Sequence, residues 1–564
     1  MKSLSPGKTI AGVIFVMERK KRIYGMAFLF SLVFLSLLGR LAYIQLFTGS
    51  HSGNSLALYA AQRSDGSFAA EEYLRGDILD RWGNSLTASN LASRLVVFPR
   101  NLNLELLQGQ PIAQRLQEAL NLSDLAELKA IAQRQKIYFY LDDQELLREI
   151  EEAAIPGLSV LPVKFRYGKG SLARHFVGYL YEKDGRGAFG LEKDYDELLQ
   201  GAQPEYAIDG VKDVTGFLLP GYIKAGENLP DQQRHDLITT IDRDLQRKAE
   251  EIVTRTMKKG ALVIMSVDGS EILAAVSRPD FEQNKIKDYL TYGDQLIDRV
   301  NRKAFYPGSV FKLVTAAAAL EYAAEQGADL RSLQYECRGS YAFENGVTIG
   351  CLGHHGRLDL RQAFEVSCNG YFINMIQQWG GAPALKKICD SFGLDTYFDE
   401  EAGPILLANT AIGQQGIMVS PLQMARIYAC IARGGLDQQP AKVLYAVDRN
   451  GFQLPLDKNR RLVRVFSTKT AAILQDCLRF TALEGTAKSG NGQLYRVGGK
   501  TGTAEAGKDS RVLAWYCGYL PVEAPAYVVA VMVEENIEGS NQGLRGGRDA
   551  AAIFKEIGQV LAVR

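Results

Sequence analysis

The longest unbroken apolar run lies near the N-terminus. Ile23–Gly39 reads IYGMAFLFSLVFLSLLG without a charge, Arg40 interrupts, and LAYIQLF continues to Phe47. A membrane-crossing helix needs roughly 20 apolar residues, and an arginine near its end can carry its guanidinium to the interface. The pattern predicts a transmembrane anchor over 23–47. Arg19, Lys20, Lys21 and Arg22 precede it, which predicts a cytoplasmic tail over 1–22. No second run of that length follows, so the rest of the chain is expected outside the cell membrane. A cleaved signal peptide would carry a shorter apolar region, about 7–15 residues, and a small-residue cleavage site. Tyr43, Gln45 and Phe47 stand there instead, and Met17, directly before the basic cluster, offers a second start position.

From Thr48 to Pro230 the pattern is mixed and rich in turns. In YLRGDILDRWGNSLT (Tyr73–Thr87), Gly76, Gly83 and Asn84 take turn positions between short strands. NLELLQGQPIAQRLQEALNLSDLAELKAIAQRQK shows helical spacing. LPDQQRHD (Leu229–Asp236) is polar and proline-bearing, and marks a domain boundary. Beyond it a strand precedes a helix that starts near Asp242. Two β-rich runs then flank Asp268-Gly269, a hairpin signal. Val310–Ala323 reads as an apolar helix, RVLAWYCGYLP and APAYVVAVMVEE as paired strands, and AAIFKEIGQVLAV as a terminal helix. Hairpins flanked by helices, without regular βαβ alternation, predict an α+β fold.

Composition narrows the function. A chain of 564 residues exceeds one hydrophobic core and implies two or three domains. A net charge of +1, from 65 basic and 64 acidic residues, gives no basic excess for nucleic acid. All seven cysteines lie between Cys337 and Cys517. A disulfide framework would spread them and keep their number even, so most read as small buried hydrophobes, although an outside location permits pairing.

The chemistry sits in three short motifs. Ser309 and Lys312, in FYPGSVFKLV, are three apart on one helical face, where the amine can reach the hydroxyl. A hydroxyl becomes a nucleophile when a base takes its proton. Lysine can be that base only when neutral, a state favoured by burial and by a second cation nearby. Ser367-Cys368-Asn369 follows, and then Lys500-Thr501-Gly502 with Thr503, in a glycine-edged strand that lets another backbone or a ligand come close. Singly, the first two patterns are weak, because Ser5–Lys8, Ser52–Asn54 and Ser489–Asn491 match them as well. Their order carries the signal: the three elements stand 58 and then 133 positions apart.

Ser-x-x-Lys, Ser-x-Asn and Lys-Thr-Gly in that order form the signature of penicillin-binding proteins and class A β-lactamases. The chain resembles the class B penicillin-binding proteins, bitopic peptidoglycan D,D-transpeptidases of division or sporulation type. RGDILDRWGN and GAFGLEKDYDELLQG resemble the family's non-catalytic, dimerisation-type pedestal, giving a pedestal over 48–230 and a transpeptidase domain over 231–564 with a central antiparallel sheet flanked by helices. HHGRLDLRQAFEVSCN, GQQGIMVSPLQMA, LEGTAK and AWYCGYLP resemble parts of the catalytic domain. Gln415 in GQQG departs from a shorter GQG.

The resemblance implies that Ser309 attacks the D-Ala-D-Ala carbonyl and that Lys312 takes its proton. It further implies that Ser367 relays a proton to the leaving amine, and that Asn369 holds the substrate amide and Lys312. Lys500 is then the second cation, and Thr501, Gly502 and Thr503 form the strand that receives the terminal carboxylate. The backbone N–H groups of Ser309 and Thr503 are expected to form the oxyanion hole. The implied partners are peptidoglycan stem peptides, β-lactams as inhibitors, the membrane, and a polytopic glycan polymerase with division or elongation proteins. No metal or organic cofactor is implied.

Two other readings stay open. A β-lactam sensor or β-lactamase shares the first and third motifs, but a hydrolase needs a group to activate water, and no second motif supplies one. A cell-wall scaffold needs none of the reactive set. Outside the motifs, His354, His355, Cys337 and Cys351 fit no common zinc spacing and read as structural or loop residues. Cys368 is either a buried inert thiol or the partner of Cys351 or Cys337 in a disulfide that would displace Ser367 and Asn369.

Overall fold

The computed structural model describes residues 7–47, 67–69, 73–99, 101–134, 138–139, 141, 143–181, 185–204, 206–212, 218–227, 234–291, 293–456, 460–506, 511–536 and 543–564. The chain divides into two compact units, one spanning 1–71, 92–163 and 204–229, the other 72–91, 164–203 and 230–564. The expected pedestal span thus contributes to both. Most of the expected boundary segment, residues 229–233 of 229–236, lies outside the described residues.

In the first unit, helix α1 (Gly7–Phe47) starts well before the expected anchor, because the basic cluster continues the helix rather than ending it. Its stretch Ile23–Ala42 is long and apolar enough to cross a membrane. The long helical pattern that follows is three helices, Leu104–Gln108, Ile112–Ala119 and Leu125–Arg134. Gly109 and Pro111 interrupt it first, and Asn121, in the left-handed region at φ 51°, interrupts it again. Leu107, Leu116 and Leu128 on these helices pack with Leu146, Leu147 and Ile150 in one core.

The second unit is built on near-continuous apolar strands, buried on both faces. Asp242 caps α2 (Arg243–Thr256) by accepting from the Leu245 amide. Then come β1 (Met257–Ser266) and β2 (Ile272–Arg278), joined through Gly269 at φ 73°. Further along are α3 (Lys312–Glu325), α4 (Asn369–Gln378), α5 (Pro421–Ala432), β3 (Gly498–Ala506), β4 (Arg511–Leu520), β5 (Tyr527–Asn536) and α6 (Ala551–Ala562). The five strands form one antiparallel sheet in the order β2-β1-β5-β4-β3.

Period two sends Ala261, Val263 and Met265 to one face and Leu262 and Ile264 to the other. Trp515, Cys517 and Tyr519 on β4 join the first face, where α3, α4 and α5 pack. Ala514 and Tyr516 join the second, which α2 and α6 cover with Leu245, Val253, Phe554 and Ile557. The expected central antiparallel sheet between helices is therefore present, and β3, which carries Lys500, is its last strand.

The two landmark stretches meet in the second unit. Glu192, fully buried, accepts from Arg75 Nε at 2.9 Å, Arg166 Nε at 2.8 Å and the Tyr167 hydroxyl at 2.9 Å. Arg75 also pairs with Asp196 at 2.6 Å. A buried carboxylate shared by two guanidiniums is costly to break, because each survivor stays desolvated without a partner. Glu192→Ala is expected to destabilise this unit by about 3–5 kcal/mol, read as an earlier urea-unfolding midpoint. Asp196→Ala, at the half-buried end of the network, is expected to cost distinctly less.

Candidate active site

The turn that presents Ser309 is made by sequence and by close approach. Gly308–Phe311 is a 3-10 turn running directly into α3, so positions 309 and 312 align. Gly308 has φ 57°, and a Cβ there would lie 2.7 Å from the Thr503 carbonyl oxygen. Its N–H donates to Gly413 O at 2.9 Å. A Cβ on Gly502 would meet Pro307 O at 2.8 Å, so both glycines let the turn lie against β3. Trp515 Nε1 fixes the approach by donating to Tyr306 O at 3.0 Å. Ser309 itself is half-buried.

Lys312 and Lys500 are both 0 % exposed. Lys312 Nζ donates to Ser367 O at 2.7 Å, to Asn369 Oδ1 at 2.7 Å and toward Ser367 Oγ at 3.2 Å. Lys500 Nζ donates to the same Ser367 Oγ at 2.9 Å and to Thr501 O at 3.1 Å. One hydroxyl therefore stands between two amines from elements far apart in sequence. Asn369 Nδ2 donates to Gly350 O at 2.8 Å, which turns its Oδ1 toward Lys312. The Phe372 ring lies 5.4 Å from Lys312 Nζ. Among the described residues no hydrogen bond joins Lys312 to Ser309 Oγ, because the amine points to the Ser367 turn instead.

Ser367 holds φ 56°, in the left-handed region that costs a non-glycine residue roughly 1–2 kcal/mol. The turn is kept by Ser367 N–H to Phe364 O at 3.2 Å and Cys368 N–H to Ala363 O at 2.9 Å. Its effect is to aim both the carbonyl and the hydroxyl of Ser367 at the amines.

Electrostatics follow from burial. Loss of solvent pushes the Lys312 amine down to about 7. Burial, and then the neighbouring Lys312, push Lys500 well below the usual lysine range. Desolvation, rather than the expected second cation, thus makes a neutral Lys312 accessible.

Thr501 is nearly buried, whereas Thr503 is exposed and its Oγ1 accepts from the Gly546 N–H at 3.4 Å. Gln414 reaches the same strand, donating to Thr503 O at 3.3 Å and accepting from the Glu505 N–H at 3.2 Å. The copy Ser489–Asn491 lies at a 3-10 turn (Lys488–Gly490), and Ser489 Oγ donates to the distant Gly547 O at 2.6 Å. Ser52–Asn54 lies outside the described residues, as does Ser5 of the first copy.

The thiols give a result that spacing did not anticipate. The ligand atoms of Cys337, Cys351, His355 and Cys368 all lie within 4.8 Å of one another. Hairpin pairing of Tyr335–Cys337 with Gly356–Leu358, and of Ser340–Ala342 with Thr348–Gly350, carries three of these residues to the fourth. Cys351 Sγ stands 3.8 Å from Cys368 Sγ, and all seven cysteines are free. The only legible hint was Cys351 four residues before His355.

Residues 260–559 match the penicillin binding protein transpeptidase domain, more than half of the chain, and the chain belongs to that family. It is 29% identical to stage V sporulation protein D of Bacillus subtilis over 576 residues, covering 95% of this chain and 85% of that one. It is 32% identical to the peptidoglycan D,D-transpeptidase PbpA of Mycobacterium tuberculosis over 331 residues, 53% of this chain and 66% of that one. Its fold matches penicillin binding protein 3 of Mycobacterium tuberculosis, solved with ampicillin, at a TM-score of 0.61 and 21% identity, over 87% of this chain and 95% of that one.

Gly308→Ala sets a Cβ against the Thr503 carbonyl in a backbone region that penalises it. It is expected to cost about 1–3 kcal/mol of stability and to slow labelling of the protein by penicillin at least about tenfold, both measurable on one preparation.

Proposed function

We propose that this chain is a serine-type peptidoglycan D,D-transpeptidase that cross-links stem peptides through an acyl-enzyme on Ser309. The observation that carries the reading is the shared Ser367 hydroxyl between two fully buried lysines, beside a serine presented on a glycine-cleared turn.

Ser309 Oγ attacks the carbonyl of the D-Ala-D-Ala bond, and its proton passes to neutral Lys312. Catalytic hydrogen bonds commonly close only in the complex with substrate, so the present separation of Lys312 and Ser309 is compatible with that role. Ser367 takes the proton held by Lys312 as it gives its own to the departing amine of the terminal D-Ala, and Lys500 steadies it by donating a hydrogen bond to its Oγ throughout. Asn369, held by Gly350, orients Lys312 and the substrate amide. Thr501 and Thr503 bind the terminal carboxylate, while Lys500 lends its charge from beneath through Ser367 and Thr501. β3 is the last strand of its sheet, which suits a peptide laid alongside it. Backbone N–H groups of Ser309 and Thr503 stabilise the oxyanion, an interaction worth about 10²–10³ in rate per donor. An amine of a neighbouring stem peptide then takes the acyl group and frees Ser309.

β-Lactams acylate the same serine and act as inhibitors. The anchor within 23–47 holds the N-terminus in the cytoplasm and the rest of the chain outside. Its exposed apolar face and the pedestal are the contacts for a polytopic glycan polymerase of the division, elongation or sporulation machinery.

Intact-mass analysis of the full chain after penicillin treatment is expected to show one adduct, mapped to Ser309 by digestion. Ser309→Ala should fold normally, take no adduct and lose cross-linking. A persistent adduct in that variant would sink the reading, and rapid release of hydrolysed drug by the wild type would favour a β-lactamase.

The groups facing Lys312 are Lys500, Ser367, Asn369, Cys351, Cys368 and Phe372. Its amine must be neutral to accept the proton, and it is neutral above about 7. Acylation by penicillin is therefore expected to fall about tenfold per pH unit below that value and to level off above it. A flat profile from pH 5.5 to 8.5 would exclude Lys312 as the base.

A further inference from the structure

We propose that Cys337, Cys351, Cys368 and His355 bind one structural Zn²⁺ ion. The ligand atoms lie within 4.8 Å of one another. Three cysteines and one histidine form a standard structural zinc set, with four ligands around the ion and no open position. The geometry fits that ion. Bonds of about 2.3 Å to sulfur in a tetrahedron separate two sulfurs by about 3.8 Å, and Cys351 Sγ and Cys368 Sγ stand 3.8 Å apart. Cys337 Sγ and His355 Nδ1, at 3.3 Å, form the opposite edge. Sulfur-rich tetrahedral sets select zinc over magnesium or calcium.

The surroundings support a bound thiolate as well. The Gly370 N–H donates to Cys351 Sγ at 3.2 Å, the kind of outer hydrogen bond that steadies a ligating sulfur. Cys337 and Cys368 are buried, which shields the ion from solvent. On binding, each thiol releases its proton to water and His355 binds as the neutral ring.

The ion has a task that the geometry identifies. Cys368 stands between Ser367 and Asn369 and precedes the first turn of α4. Cys351 follows Gly350, whose carbonyl receives the Asn369 amide. One ion therefore clamps both sides of the turn that aims Ser367 and Asn369 at Lys312, making Cys351 and Cys368 positioning residues. This second half rests on the proposed acylation of Ser309, whereas the metal site itself does not.

The test uses the full-length protein in detergent, purified with reductant and without chelator. Elemental analysis is expected to find one zinc per chain. Cys337→Ser and His355→Ala are expected to bind zinc at least about tenfold more weakly, and His355→Cys, which restores a ligand, to retain it. Co²⁺ exchanged into the site should give thiolate-to-cobalt charge-transfer absorption with intense d–d bands, absent in Cys337→Ser. Far-ultraviolet circular dichroism confirms that each variant is folded. Chelator stripping should slow penicillin acylation at least about tenfold, and added Zn²⁺ should restore it.

Wild-type protein without metal and with three freely alkylated thiols would overturn the site, as would a Cys351–Cys368 disulfide in metal-free protein. Stoichiometric zinc with acylation unchanged on stripping would overturn the positioning role. Metal content is read apart from acylation, so failure of the zinc site and failure of the transpeptidase reading are separately visible.

Discussion

Two lysine amines buried against one serine hydroxyl set the terms for everything around them. A buried ammonium without acceptors is far too costly to keep, so each must find oxygen. Lys312 takes the carbonyl of Ser367 and the amide oxygen of Asn369, Lys500 takes the carbonyl of Thr501, and both turn to Ser367 Oγ. A hydroxyl has one proton and two lone pairs. With both amines charged it must accept twice and can donate only elsewhere. With Lys312 neutral it can accept from Lys500 and donate to Lys312. The protonation state of one amine thus decides where the Ser367 proton points, which is the property a proton relay needs.

The fold works to keep that arrangement dry and fixed. Both faces of the five-stranded sheet are covered, so β3 can hold Lys500 at a dry position even though it is the last strand. The turn of Ser309 comes from the start of α3, and Ser367 from the segment before α4. The Ser309 turn would not lie against β3 if Gly308 and Gly502 carried side chains. Close backbone approach therefore does for the placing of Ser309 what burial does for Lys312. Ser367 accepts a left-handed backbone because its carbonyl and hydroxyl must both face inward, a local strain of the kind that surrounding structure sustains at functional sites.

Periodicity made most of this fold legible. The two β-rich runs in GALVIMSVDGSEILAAVS and the late strands matched a sheet buried on both faces, and Asp242 and Asp268-Gly269 marked a helix start and a hairpin. The ordered motifs were readable because each is local, and their meeting follows once the sheet forms. What was hidden depended on distance. The partners of Lys312 lie more than fifty residues away, and nothing near it states that its amine turns to Ser367 rather than Ser309. The Glu192 network ties 72–91 to 164–203, and pairing of Ile78 with Leu237 and the Ala173 N–H bond to Glu250 tie them to the rest of the second unit, all across long sequence distances. The break between Leu104–Gln108 and Ile112–Ala119 was marked by Gly109 and Pro111, yet helical spacing on both sides concealed it.

The group of three cysteines and His355 shows why ligand spacing is a poor guide when hairpins intervene. A compact metal motif places ligands on one turn or knuckle, so its spacing survives in sequence. Here Cys337 ends a strand, Cys351 follows one, His355 precedes one and Cys368 precedes a helix, and the pairing of two short hairpins sets their distances. Such a site adds few local signals and much long-range constraint. That is what the Ser367 turn requires: it carries a left-handed residue, lies between elements far apart in sequence, and is held by only two backbone hydrogen bonds of its own. Clamping at Cys368 and Cys351 would fix Asn369 from both its neighbours in chain and its neighbour in space. It would also leave Ser367 Oγ free of any bond except those to the two amines it serves.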